Sequence, residues 1–125
     1  MFNIGGIHIR HIQKQDSIEL FEIATKDKGL GPGYHVHHKM EENFYIIEGA
    51  VLFTTNQHKQ ILEKGESFSV LRGTPHSWKT AKEKTKMLLI FTPAQNQLCY
   101  FAELEKIIST RLLLGRSHRY SCPQF

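Results

Sequence analysis

The chain has 125 residues, 40% hydrophobic and 22% charged, an ordinary globular balance with room for one core and no low-complexity tract. Its formal charge of +4 comes from Lys and Arg scattered singly, without the clustered stripe that phosphate neutralisation requires, which argues against a nucleic-acid partner. No stretch approaches the roughly 20 apolar residues of a membrane span, and Met1–Arg10 lacks a charged start followed by an apolar run. The expectation is a single domain over residues 1–125, cytoplasmic and without a membrane partner.

From about Ile7 to Phe91, short β-type runs alternate with turn residues, the pattern of an all-β sandwich or barrel. Strands are predicted at Ile18–Thr25, Tyr34–His38, Asn43–Glu48, Val51–Thr55, Phe68–Leu71, His76–Thr80 and Met87–Phe91. Turns fall between them at Gly29-Leu30-Gly31-Pro32-Gly33, Gly49, Gly65 and Gly73-Thr74-Pro75, where reversal needs glycine's angles or proline's preset φ. After Thr92-Pro93 the period lengthens. Leu98, Phe101, Leu104, Ile108 and Leu112 recur every three or four residues, which predicts a helix over about 96–115 packed on the barrel, with Gly115 as its C-cap. The tail, 116–125, carries no element signal. Cys99 and Cys122 have no Cys or His at zinc-site spacing and are read as free thiols rather than a disulfide.

The chemistry concentrates at His35-Val36-His37. Eight histidines make a His-x-His pair cheap by itself, but Gly29 stands six residues before His35, Glu42 follows His37 after four residues, and Gly49 follows Glu42 after six. On a strand, residues two apart share a face, so His35 and His37 project together, and Glu42 opens the next strand toward the same interior. Imidazole nitrogens and a carboxylate oxygen suit a borderline transition metal. Glu41 is the competing carboxylate, but Glu42 alone keeps the spacing to Gly49. His38 falls on the opposite face from His37 by strand alternation, and His8, His11, His58 and His118 lack ligand spacing; all five are expected at the surface.

These segments resemble the paired motifs of the cupin superfamily, especially its short one-domain members. The first motif, Gly, five residues, His-x-His, three or four residues, Glu, six residues, Gly, is met in full from Gly29 to Gly49. The second, Gly, five residues, Pro-x-Gly, two residues, His, three residues, Asn, is met at Gly65, Gly73 and His76, with Leu71 in place of Pro and Thr80 in place of Asn. The resemblance covers about residues 4–95. It implies an all-β, jelly-roll type barrel with a C-terminal helix, and one divalent transition metal ion (Fe, Mn, Ni, Cu or Zn) held by His35, His37, Glu42 and His76. It also suggests a homodimer, for which an edge strand such as Ile18–Thr25 would offer the means.

By strand parity Phe44 and Ile46 follow Glu42, and Trp78 follows His76, so the three are candidates either for the substrate pocket or for ordinary barrel core. Arg72, in the turn before His76, is a candidate for the rim. A metal with three histidines and one carboxylate keeps open positions for a small-molecule substrate or dioxygen, and Glu42 can double as a general base. Segments such as Glu42–Gly49 and Pro75–Trp78 look like those of quercetinase-type dioxygenases, which implies an enol, catechol or flavonol-like substrate. A non-catalytic ligand- or metal-binding module and a metal-dependent isomerase or decarboxylase are the alternatives, and the sequence leaves open whether the site turns over substrate.

Overall fold

The computed structural model describes residues 1–15, 17–56 and 58–114, with side chains of the final helix described through residue 108. Nine strands precede one helix among the described residues: β1 (Phe2–Ile4), β2 (Ile7–Gln15), β3 (Ile18–Ala24), β4 (Glu41–Glu48), β5 (Ala50–Thr55), β6 (His58–Glu63), β7 (Ser67–Val70), β8 (His76–Thr80), β9 (Lys86–Thr92) and α1 (Gln97–Leu114). A six-stranded sheet in the order β1-β2-β3-β9-β4-β7 faces a three-stranded sheet in the order β6-β5-β8, all pairs antiparallel. This is a jelly-roll β-barrel.

The alternation that marks a half-buried strand is clean on the three central strands. Phe21 and Ile23 of β3, Phe44 and Ile46 of β4, and Met87, Leu89 and Phe91 of β9 point inward. Phe53 of β5 meets Phe44 at a ring separation of 4.6 Å and so joins the two sheets across the core. Between β4 and β5 the chain reverses at Gly49 with φ +82°, and a Cβ there would lie 2.4 Å from Thr85 Oγ1, so both the angle and the space demand glycine.

Several expectations are corrected. Tyr34–His38 is not a strand; only His35 makes a ladder pair, an isolated antiparallel bridge with His76. The preceding Gly31-Pro32-Gly33 removes a donor and keeps the segment irregular. The predicted edge strand Ile18–Thr25 is interior, since β3 pairs with β2 on one side and β9 on the other, and it has no free edge to offer a second copy. β1, β2 and β6 had no predicted counterpart. β6 buries only Leu62 and the second half of β2 is exposed, so backbone pairing holds them and no apolar stripe announces them. Cys99, in the first turn of α1, is disulfide-bonded, contrary to the free-thiol reading; Cys122 lies outside the described residues. The described histidines apart from the motif also divide: His38 and His58 are exposed, whereas His8 and His11 are half-buried. His118 lies outside the described residues.

The predicted helix is present as α1. Phe101, Leu104 and Ile108 pack against the core, whereas Leu98 is 36% exposed and does not belong to the buried face. Gly115 and the side chain of Leu112 lie outside the described residues. A buried carboxylate anchors the helix: Glu19 on β3 is 0% exposed, and its Oε1 and Oε2 accept from the Gln97 and Leu98 backbone N–H groups at 2.7 and 3.2 Å. These are orphan donors of a helix N-terminus, where a negative charge also meets the positive end of the dipole. Phe21, two residues along β3, receives Phe101 edge-on at 4.9 Å. Glu19→Ala leaves two N–H groups unmet and is expected to cost about 1–3 kcal/mol, read as a lowered melting temperature by circular dichroism. Glu19→Gln, which keeps an acceptor, should lose less; an unchanged Glu19→Ala would show that this carboxylate does not hold α1.

Candidate metal centre

The segment between β3 and β4 has almost no ladder of its own, so its position is set by what it is clipped to. Gly29 N–H donates to Thr80 O at 2.7 Å and Thr80 N–H to Leu30 O at 2.8 Å. The Thr80 hydroxyl donates to Asp27 O and accepts from Leu30 N–H, both at 3.1 Å, so this threonine ties the incoming loop to the end of β8. Further on, His35 and His76 exchange both backbone hydrogen bonds at 2.9 Å, and His37 O accepts from Gly73 N–H at 2.7 Å. Gly31 makes this path passable: a Cβ there would lie 1.8 Å from Trp78 O.

The result is a cluster of side chains from three parts of the fold. Glu42 points inward from β4, His76 opens β8 in the other sheet, and His35 and His37 come from the clipped segment. Each of the four offers a ligand atom, and these atoms lie within 4.8 Å of one another. His76 and Glu42 are buried at 0% and 3% exposure. Glu41, one residue earlier, faces the other way, its carboxylate 4.0 Å from Arg72 at the surface.

The orientation of the rings fits a metal. His35 Nδ1 donates to Gly33 O and His76 Nδ1 to Thr74 O, each at 2.8 Å, which leaves the Nε2 lone pairs of both for the cluster. His76 Nε2 lies 2.9 Å from Glu42 Oε1, a hydrogen bond that a doubly protonated His76 would donate to the carboxylate. His37 Nε2 approaches the same oxygen at 3.4 Å.

The electrostatics agree with that reading. Burial alone would raise the Glu42 pKa, but hydrogen bonds from His37 and His76 and their charge outweigh it and hold the carboxyl below its ordinary value. Burial works against a charged His76 too, yet the Glu42 hydrogen bond and the Thr74 carbonyl carry its pKa above the usual imidazole value. His35, desolvated without a carboxylate bonded to it and beside His76, is lowered and favours the neutral form a metal needs.

The other candidates divide. Trp78 lines a cavity of about 520 Å³ into which His35, His37 and Glu42 also face. Phe44 and Ile46 are fully buried in the core and are not among the lining residues of this cavity. Arg72 is paired with Glu41 and is likewise absent from the lining. Sequence reasoning missed the rest of the cavity wall, which comes from the β1–β2 hairpin, Ile23 of β3, the 29–34 loop, Leu89 and Phe91 of β9, and α1; for α1 the helix periodicity at Phe101, Leu104 and Ile108 was the available signal.

These shifts fix a pH dependence for the metal-stripped protein. Glu42 stabilises the fold above its unfolded value near 4.5, and this is lost as pH falls through its lowered folded pKa. His76 stabilises it below its unfolded value near 6.5, and this is lost as pH rises through its raised folded pKa. The pair therefore contributes in full between those two values, and Glu42→Gln should flatten the melting-temperature maximum there. A maximum of unchanged height in Glu42→Gln would contradict the pairing.

Comparison with known proteins agrees with this architecture. The family model described as Cupin domain matches residues 22–92, more than half of the chain. A quercetin 2,3-dioxygenase of Bacillus subtilis (strain 168) is 28% identical over 72 residues, covering 56% of this chain but 21% of that protein, so the chain spans about a fifth of its length. Among solved structures, KdgF from Halomonas sp. superposes with a TM-score of 0.70 at 18% identity, covering 74% of this chain and 84% of the other. An RmlC-like cupin from Shewanella frigidimarina gives 0.68 at 21% identity, with 75% and 82% covered. These likenesses are of fold. With the family match over residues 22–92 and a barrel to accompany it, the chain belongs to the cupin-domain family.

Proposed function

We propose that this cupin binds one divalent transition metal ion through His35, His37, Glu42 and His76 and uses it as a dioxygenase on a small enol-type substrate. The observation that carries the reading is the joining of a three-histidine, one-carboxylate cluster to a largely apolar cavity of about 520 Å³. That volume lies in the range of small-molecule sites, and a few polar groups in an apolar wall are their usual composition. The partial resemblance to quercetin 2,3-dioxygenase supports the reaction class.

An ion bound there would supply Lewis acidity and coordination positions that the protein leaves open. The chain's own part is separate. His35 and His76 are held by the Gly33 and Thr74 carbonyls so that their Nε2 atoms are left for the cluster. Glu42, held ionised in a buried position, is placed to take the proton of an acidic substrate hydroxyl. Trp78, Leu89 and Phe91 wall the cavity and exclude water from it.

Protein purified without added metal should carry close to one divalent ion per chain by elemental analysis, and His76→Ala should lose most of it while remaining folded. Glu42→Gln should lower metal content or turnover, and Glu41→Gln should stay near wild type. Oxygen uptake with flavonol, enediol and alkane-2,4-dione compounds tests the reaction. Full metal in His76→Ala would overturn the site, and absent uptake across iron, manganese, nickel, copper and zinc forms would overturn the dioxygenase in favour of a binding module.

A further inference from the structure

The cavity beside the histidine cluster has a chemistry of its own. On the hairpin side its wall is Ile4, Ile7 and Ile9; on the helix side it is Leu104 and Ile108. Beyond the cluster itself, the side chains on the lining that carry a polar atom are Tyr34, Trp78, Gln97 and Tyr100, and no Lys, Arg or Asp is among them. Gln97 is already engaged, its amide directed at Met40 Sδ at 3.5 Å, and Tyr34 is 55% exposed. Away from the cluster, the anionic group of a sugar acid or a phosphate would meet no Lys or Arg on this wall. A ligand bearing several distal hydroxyls would have to bury most of them unpaired, at about 1–3 kcal/mol each.

We infer that the natural ligand is a neutral, mainly aliphatic molecule with a single oxygen-chelating end, and that the β1–β2 hairpin and α1 select for its apolar body. The chelating end lies at His35, His37 and Glu42, which share the cavity with those walls. The body lies between branched aliphatic side chains, where each methylene removed from water adds affinity and no hydrogen bond is required. The inference rests on the proposed metal site for the chelating end; the apolar body is carried by the wall alone.

Two probe series separate the parts. Alkane-2,4-diones from pentane-2,4-dione to decane-2,4-dione are titrated into the metal-loaded protein, and 1-alkanols from butanol to decanol into the metal-stripped protein. Binding is followed by calorimetry and by the fluorescence of Trp78, the one tryptophan of the chain, which lies on the cavity wall. Both series should tighten about fourfold per added methylene, corresponding to the ~0.8 kcal/mol of burying one CH2, until the cavity is full. Leu104→Gln should weaken the long diones while leaving pentane-2,4-dione unaffected. A dione series that does not tighten with length, or galacturonate binding tighter than decane-2,4-dione, would overturn the inference while the metal site stands. A length-dependent alkanol series in a protein that takes up no divalent ion when iron, manganese, nickel, copper or zinc is added back would support the aliphatic wall and remove the metal reading.

Discussion

The histidine cluster depends on a stretch of chain that has no sheet of its own being laid along β8. Four backbone hydrogen bonds at Gly29, Leu30 and His35, together with the Thr80 hydroxyl, do the laying, and the His37 carbonyl bound to Gly73 finishes it. Each bond is individually worth only about 1 kcal/mol net, but together they place two rings that would otherwise sit on a free loop. Gly31 is the narrow point of that path, because the Trp78 carbonyl occupies the space a side chain would need. The site is thus built on backbone, with its side chains as passengers.

Within the cluster one oxygen organises the rest. Glu42 Oε1 is approached by both His37 and His76, and burying that carboxylate at 3% exposure would be costly without them. A cation is therefore required between the sheets whether it is a proton shared with imidazole or a metal ion. Metal uptake on this view is an exchange of cations at a position the fold already makes favourable, with proton release as its counterpart.

Much of this was legible in the sequence, for identifiable reasons. The inward residues of β3, β4 and β9 alternate without interruption, so those strands could be read directly. The spacings from Gly29 to Gly49 and from Gly65 to His76 reflect turn positions that fix where the four side chains fall, so the residues that meet could be named. The argument that put His35 and His37 on one strand face was nevertheless wrong in form: the two rings meet at 5.0 Å in a segment that is not a strand. Parity left Phe44 and Ile46 open between pocket and core, because sharing a face with Glu42 places a residue in the barrel without saying at which depth; they lie in the core. Glu19 gave no local signal, since its partners Gln97 and Leu98 lie 78 and 79 residues away in the chain.

Helix α1 belongs to two structures at once. Its N-terminus is fastened by Glu19 to the middle of the six-stranded sheet, and its side chains Phe101, Leu104 and Ile108 form part of the cavity wall. Occupancy of the cavity and docking of the helix are consequently linked equilibria. A ligand that touches the docked helix adds RT ln(1 + [L]/Kd) to the free energy of docking, and a chain whose helix is docked only part of the time shows an apparent Kd raised by the inverse of that fraction. Variation at a carboxylate that touches no ligand can then be read out as a change in ligand affinity.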